Sequence, residues 1–161
     1  MPTRPRTKLL GVDFGTVRVG LAICDEGRMI AAPHDIRVRK NPQADGNFFK
    51  DLVAKEQIAA IVMGLPVHTD GREGVKAKES RAYGKWLGEV TGLPVMFADE
   101  RFSTAFADSA MWEAGLKHKK RKELRDAIAA QIMLQGFLDG GAKETEIISL
   151  SEQKPETPPE E

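Results

Sequence analysis

The residue best placed to do chemistry is Asp13, which ends an apolar run and is closely followed by Gly15. A buried or half-buried carboxylate costs free energy unless a cation or several donors compensate it, so Asp13 predicts a site that meets a metal ion or phosphate. Gly15 removes a side chain from the approach, and Thr16 and Arg18 supply a hydroxyl and a guanidinium suited to phosphate oxygens. The alternative is a hairpin with a solvated turn aspartate, because Asp and Gly are also ordinary turn residues.

A second pair of acids follows the apolar run 93–98, namely Asp99 and Glu100. Open α/β sheets place their sites at breaks of this kind, beyond the carboxyl ends of strands. Alternation along a strand sends Asp99 and Glu100 to opposite faces, so at most one of them is expected to share a centre with Asp13. An ion pair with a neighbouring arginine is an equally common role for such an acid.

The last candidate acid, Asp126, is predicted to start the final helix just beyond a basic run. Helix N–H groups and the helix dipole stabilise an ionised carboxylate there, which suits a metal ligand and equally a capping residue. The basic run suits phosphate binding, although such a run is also typical of a solvated face. Its cations are Lys117, Lys119, Lys120, Arg121, Lys122 and Arg125.

Net charge alone argues neither for nor against a polyanionic partner. The chain has 24 basic and 24 acidic residues, but residues 141–161 hold six acids and two lysines, which leaves the preceding 140 residues with a net charge of +4. Local clusters of cations decide phosphate binding. A nucleic acid therefore remains a possible partner despite the overall neutrality.

Length and composition predict one domain with a single core. The 161 residues are 41% hydrophobic, and two domains of half this size would each be marginal. No apolar run is long enough to cross a bilayer, so we expect a cytoplasmic protein without a membrane partner. Cys24 is the only cysteine, which excludes an internal disulfide and favours a small buried side chain. We expect a basic arm at 1–8, a folded domain at 9–141 and a disordered acidic tail at 142–161.

Hydrophobic periodicity predicts alternating strands and helices. The first two strands form a hairpin around Gly15 and Thr16, and Pro33 makes the third strand an edge strand or a bulged one. The sheet is therefore expected to begin antiparallel and to continue in parallel crossovers. The predicted strands lie at 9–14, 17–23, 28–38, 58–63 and 93–98, and the predicted helices at 48–53, 75–90, 102–115 and 124–138.

Four blocks of the chain together resemble a known family. They are GVDFGTVRVGLA (11–22), IVMGLPVHTDG (61–71), DERFST (99–104) and DAIAA (126–130). In order and spacing they are similar to the YqgF/RuvX-type proteins, described as Holliday junction resolvases or as nucleases that trim the 5′ end of the small-subunit rRNA precursor. The resemblance implies an α/β, ribonuclease H-like fold: a mixed five-stranded sheet, antiparallel in its first three strands and then parallel, with helices on both faces.

The same resemblance implies an acidic triad of Asp13, Glu100 and Asp126. Carboxylates from separate elements can hold one or two Mg²⁺ or Mn²⁺ ions, which would assist in-line attack of water on a phosphodiester. A fourth acid found in related resolvases is replaced here by Ala129. The residues expected to hold the polyanion are Thr16, Arg18, Arg101, Lys119, Lys120, Arg121, Lys122 and Arg125.

We therefore expect a metal-dependent nuclease that processes the 5′ end of pre-16S rRNA, with ribosomal particles as possible partners and a monomeric or weakly dimeric state. The first alternative is a resolvase of four-way DNA junctions, which must make two symmetric cuts and so favours a dimer. The second is an RNA-binding ribosome-assembly module without catalysis. A kinase-like ATP-binding protein is the third, since DFGT (13–16) resembles an actin-type phosphate loop, but that fold needs two lobes.

Overall fold

The computed structural model describes residues 7–66, 74–99, 118–140 and 147–148, with side chains described at 7–66, 74–98 and 124–140. Six strands and three helices lie in these ranges. The strands are β1 (Lys8–Asp13), β2 (Arg18–Cys24), β3 (Ala31–Val38), β4 (Ile58–Leu65), β5 (Val95–Asp99) and β6 (Ile147–Ile148). The helices are α1 (Pro42–Lys55), α2 (Val75–Thr91) and α3 (His118–Asp139).

The strands form one mixed sheet in the order β3-β2-β1-β4-β5-β6. β2 pairs antiparallel with both β1 and β3, whereas β4 pairs parallel with β1 and β5. The predicted five-stranded arrangement is thus confirmed. The two-residue β6 adds a sixth strand, antiparallel to β5, from within the segment predicted as a tail. The division into arm, domain and tail stays a prediction, and the predicted helix at 102–115 lies outside the described residues.

The third strand shows both effects predicted for its proline. β3 lies at the edge of the sheet, where the missing N–H of Pro33 breaks no interior ladder. Its register against β2 also shifts between Leu21 and Ala22, which pair with Asp35 and Pro33 respectively. The proline therefore coincides with a bulge on an edge strand.

The tight turn between β2 and β3 is organised by Asp25. Its carboxylate accepts hydrogen bonds from the N–H groups of Met29 and Ile30, both at 2.8 Å, and from Gly27 at 3.2 Å. Bonds of this kind favour the ionised form, so the Ile30 and Met29 N–H groups lower the pKa of the Asp25 carboxyl.

We expect Asp25→Ala to lower the Tm at pH 7. Because the folded-state pKa is depressed, the stabilisation by Asp25 is complete above its unfolded pKa of about 3.9 and is lost as the pH falls through the lower folded value. Thermal melts between pH 7 and pH 2 should show that the difference in Tm between the variant and the parent becomes smaller as the pH falls. The control Asp51→Ala makes the same chemical change at an exposed position of α1 and should leave the Tm at pH 7 close to that of the parent. A difference in Tm that stays the same at every pH for Asp25→Ala would contradict the stabilising role of the ionised Asp25 carboxylate.

Two hydrophobic clusters lie on opposite faces of the sheet, as the helices on both faces require. On one face, α1 and α2 pack through side chains such as Phe49 and Leu87 against Met63 of β4. On the other, α3 packs through Leu134 and its neighbours against Leu9 and Val62. The continuous apolar run at 58–63 predicts a strand covered on both faces. This is confirmed, because β4 supplies side chains to both clusters. No helix in the described part of the chain is long and apolar enough to span a membrane.

Several local predictions are also confirmed. The second helix ends at Gly92, whose φ of 71° is the left-handed conformation that glycine adopts most readily. Cys24 is buried, and its sulfur accepts a hydrogen bond from the Leu9 N–H at 3.1 Å. Burial raises the pKa of the Cys24 thiol, which is consistent with a structural role for this residue.

The prediction for the last helix was wrong in two respects. α3 begins at His118, so Asp126 lies two turns inside the helix and does not cap its N-terminus. The buried face also differs in part: the helical spacing of apolar residues from Leu124 to Leu138 predicts a buried Leu124, but Leu124 is 40% exposed, whereas Ala127 and Ala130 are almost fully buried. The face against the sheet therefore includes these two small residues beside large ones such as Leu134. Their close approach is explained by the glycines described below.

Candidate functional site

Two of the three predicted acids come together at Gly20 of β2. Asp13, at the end of β1, is the cross-strand partner of Gly20. A Cβ atom on Gly20 would collide with the backbone carbonyl of Asp126 and would lie 3.0 Å from the Ala127 nitrogen. Gly20 of β2 therefore contacts the α3 backbone at Asp126 and pairs with Asp13 of β1. The backbones of both acids lie next to this one residue.

Alternation along β1 directs Asp13 toward the face that α3 covers. Leu9 belongs to the cluster under α3, and a Cβ on Gly11 would lie 2.9 Å from the Leu134 Cβ. Asp13, two residues further along, shares this face of the strand. The Asp13 and Asp126 side chains are each partly buried. The arrangement is thus two half-buried carboxylates on the α3 face, at the carboxyl end of β1.

Gly20 is the site residue that sequence reasoning missed. The available signal was a glycine inside a strand pattern, which often marks a close approach of another backbone. Gly11 is a second glycine of this type on the same face. Gly20 lies against the backbone of Asp126 and Ala127, and Gly11 lies against Leu134, so together the two glycines let α3 lie close to the sheet.

The turn after β1 carries the residues predicted to bind phosphate. Gly15 packs against the backbone of Arg18, since a Cβ there would collide with the Arg18 carbonyl oxygen. Its first role is therefore to close the turn. Arg18 begins β2 two residues before Gly20, so its half-buried side chain shares the face of Asp13. Thr16 is exposed and lines a cavity on the opposite, α1/α2 side of the turn.

The remaining predicted site residues are described only in part. Glu100 and Arg101 lie outside the described residues, directly after β5. The last residue of β5, Asp99, pairs with Leu65 at the end of the parallel strand β4. Because β1, β4 and β5 run parallel, their carboxyl ends share one edge of the sheet. β5 therefore ends at the edge that carries Asp13.

The basic run forms the beginning of α3. The backbones of Lys119, Lys120, Arg121 and Lys122 lie in the first turns of the helix, and Lys117 precedes the described range. Among these cations the side chain of Arg125 is described, and it is exposed beside Asp126. The basic residues and the acid Asp126 thus belong to one continuous helix.

The described carboxylates fit a divalent cation in chemical type. Mg²⁺ and Mn²⁺ prefer hard oxygen ligands, which Asp13 and Asp126 supply from a strand and a helix that meet at Gly20. Within the described ranges no group of three or more His, Cys, Asp or Glu residues could hold a metal. The third predicted acid lies outside those ranges. Two residues of the right ligand type are therefore present, on elements whose backbones meet at Gly20.

Two solved structures with a similar fold are complexes with Holliday junctions. The chain is similar to Thermus thermophilus RuvC in complex with a Holliday junction substrate, with a TM-score of 0.54 at 16% identity over 88% of this chain and 99% of that one. It is also similar to the fowlpox virus resolvase bound to Holliday junction DNA, with a TM-score of 0.55 at 10% identity over 84% and 99% of the two chains. At these identities the likeness concerns the fold, which is that of the ribonuclease H-like nucleases.

Sequence comparison identifies the family within that class. Residues 7–140 match the family described as RuvX: Holliday junction resolvase, and the chain belongs to this family. A relative from Rhodopirellula baltica, provisionally named a pre-16S rRNA nuclease, is 46% identical over 82% of this chain and 76% of its own. A relative from Rhodobacter capsulatus with the same provisional name is 45% identical over 81% and 82%.

Proposed function

We propose that this protein is a metal-dependent nuclease that hydrolyses phosphodiester bonds in the precursor of 16S rRNA. The observation that carries the proposal is the meeting of Asp13 and Asp126 at Gly20, in a chain that belongs to the RuvX family. Half-buried acids at the carboxyl edge of a mixed sheet suit a cation and a phosphate better than they suit a purely structural role.

The residues proposed to hold one or two Mg²⁺ or Mn²⁺ ions are Asp13, Glu100 and Asp126. When bound, such ions activate a water molecule and stabilise the leaving oxygen during in-line displacement at phosphorus. Asp13 and Asp126 supply oxygen ligands from two rigid elements, which limits the reorganisation needed during the reaction. Glu100 follows β5 directly and is proposed to approach from the same edge of the sheet.

The cations of the chain are proposed to bind the polyanion around these acids. Arg18 shares the face of Asp13, and its guanidinium suits two oxygens of one phosphate. Arg125 and the basic first turns of α3 extend the positive charge along the helix, and Thr16 and Arg101 complete the proposed contacts. Binding that depends on several phosphate contacts is expected to weaken steeply as salt is raised.

An RNA precursor is the favoured substrate because the relatives at 45–46% identity carry the name of a pre-16S rRNA nuclease. A four-way DNA junction is the second candidate, favoured by the description of the matched family. Trimming an RNA end needs one site, whereas resolving a junction needs two sites related by symmetry. We propose a monomer or weak dimer that acts in the cytoplasm, with ribosomal particles as possible partners.

Incubation of the purified protein with labelled rRNA precursor and with a labelled four-way junction tests the proposal. Each substrate is offered with Mg²⁺, with Mn²⁺ or with EDTA. We expect the precursor to be cut in either metal and to remain intact in EDTA, because the bound cation is proposed both to activate the water and to stabilise the leaving oxygen. If only the junction is cut, the substrate is the four-way DNA junction and not the RNA precursor. Cleavage that persists in EDTA would contradict the metal mechanism.

A further inference from the structure

A second concave surface lies on the opposite side of the turn that carries Asp13. It is a cavity of about 650 Å³ at the carboxyl ends of β1 and β3, on the face covered by α1 and α2. Its principal lining residues are Phe14, Arg39, Lys40, Ala82, Tyr83 and Trp86. Phe14 follows Asp13 directly in the chain and packs against the α1/α2 cluster, whereas Asp13 shares the α3 face. The cavity and the acidic site therefore lie on opposite faces of the sheet, beside the same short turn.

Three aromatic rings and one guanidinium form the wall of this cavity. The Phe14 and Tyr83 ring centroids are 5.0 Å apart, and those of Tyr83 and Trp86 are 5.2 Å apart. Arg39 lies 5.2 Å from the centroids of both Phe14 and Tyr83. Its Nη1 also donates to the Thr16 carbonyl at 3.0 Å, so the arginine is tied to the same turn. The rings are tilted against one another by 43–47°, and the wall they form is aromatic and carries a guanidinium. The rest of the lining adds Lys40 and two carboxylates, Asp45 and Glu79. The position of the wall is set by the turn beside Asp13.

The tyrosine hydroxyl in this wall has no hydrogen-bond partner among the described residues. Tyr83 is only 8% exposed, and its Oη is fully buried. Desolvation raises the pKa of Tyr83 above its usual range, with Arg39 acting in the opposite direction, so the hydroxyl stays protonated and able to donate. Buried polar atoms of folded proteins nearly always have a partner. An orphaned hydroxyl in the wall of a cavity therefore points to a ligand with a polar edge.

We propose that this cavity binds one unpaired base of the nucleic-acid substrate, with the adjoining phosphate held by Arg39 and Lys40. This inference rests on the proposed nuclease function and specifies how the substrate is positioned. Aromatic rings beside a cation match a base with its phosphate, since bases stack on aromatic side chains and Arg adds a cation–π contribution. A base inside a duplex is stacked and paired, so only an unpaired nucleotide can enter. Tyr83 Oη and the Glu79 carboxylate at the lining can then bond the polar edge of the base.

The fluorescence of Trp86 offers a direct measurement of binding. Trp112 is the other tryptophan of the chain, so the parent for this experiment is Trp112→Phe. A short single-stranded RNA and a blunt duplex of the same sequence are titrated in EDTA, which separates binding from cleavage. We expect the single strand to quench Trp86 in a saturable manner and the duplex to leave it unchanged.

The variant Ala82→Phe fills the cavity from an exposed position of α2 and removes no core contact. It should weaken the affinity for the single strand by about tenfold or more, in line with the loss of one stacked base. The matched control is Ala54→Phe on the exposed face of α1, outside the cavity lining, and it should bind as the parent does. Tyr83→Phe keeps the ring and should weaken binding by about fivefold through loss of the hydroxyl. Equal affinities for the parent and Ala82→Phe, or equal quenching by duplex and single strand, would overturn the proposal.

Cleavage assays with Mg²⁺ distinguish a failure of this inference from a failure of the proposed function. If the precursor is cut but Ala82→Phe binds single strands as the parent does, the base site is wrong and the nuclease stands. If single strands bind in the cavity but neither substrate is cut in either metal, the binding site stands and the nuclease function is wrong. The two claims therefore depend on separate readouts.

Discussion

Asp13→Asn is expected to reduce cleavage of the substrate by at least about a hundredfold, with RNA affinity within about twofold of the parent. The amide keeps the shape of the side chain but removes the charge that attracts a divalent ion. Metal ions supply several kcal/mol of transition-state stabilisation, and each 1.36 kcal/mol corresponds to a factor of ten in rate. Single-turnover cleavage under saturating protein, together with a filter-binding titration in EDTA, measures the two quantities separately.

The matched control for this variant is Asp51→Asn, which makes the same chemical change at an exposed position of α1. It should cleave at the rate of the parent. Asp126→Asn should behave as Asp13→Asn does, and the double variant should be little worse than either single one, because residues that act as a unit are not additive. Unchanged cleavage by Asp13→Asn would instead contradict the metal mechanism proposed for Asp13.

Gly20→Ala is expected to have the second large effect, on stability and activity together. Its added Cβ would meet the backbone of Asp126 and Ala127, and the atoms it meets belong to a helix that cannot rotate away as a flexible side chain would. Overpacking of this kind costs about 1–3 kcal/mol, and we expect the upper part of that range. A displacement of about 1 Å at a reacting group can cost about a hundredfold in rate, so α3 need move only slightly for cleavage to fail.

Chemical denaturation and the cleavage assay together test the Gly20 prediction. The matched control is Gly136→Ala, a glycine within α3 around which a Cβ would meet no atom among the described residues within 4 Å. This change should leave cleavage intact and stabilise the protein slightly, because alanine is favoured over glycine in a helix. If Gly20→Ala melts and cleaves as the parent does, the meeting of strand and helix at Gly20 is not what positions Asp126.

The hairpin and the edge strand show what local patterns can predict. Alternating apolar residues identified β1 and β2, and the missing N–H of Pro33 predicted both the edge position and the bulge of β3. The continuous apolar run of β4 predicted a strand covered on both faces. These features follow from strand periodicity and from the hydrogen bonds that a residue type can form, which are properties of a few neighbouring residues.

The last helix shows where such patterns fail. Its large apolar residues suggested a buried face that includes Leu124, but Leu124 is exposed and the buried face includes the small residues Ala127 and Ala130. The reason is found on other elements, because Gly11 and Gly20 leave the sheet surface without side chains there. When residues on other elements determine which face of a helix is buried, that face cannot be predicted from the sequence of the helix alone. The start of the helix at His118 likewise moved Asp126 away from a capping position.

The sequence by itself determined the order of β1 to β5, the family, and the acids available for chemistry, because these depend on residue types and on short-range periodicity. Only the tertiary structure decided that Asp13 and Asp126 meet at Gly20 and that Phe14, Tyr83 and Trp86 surround a cavity behind the same turn. The helical spacing of apolar residues at 75–90 predicts only that Tyr83 and Trp86 are core residues. Their proposed role in binding a base, like the placement of Asp126, depends on contacts with residues that are distant in the sequence. These contacts exist only once the helices have packed against the sheet.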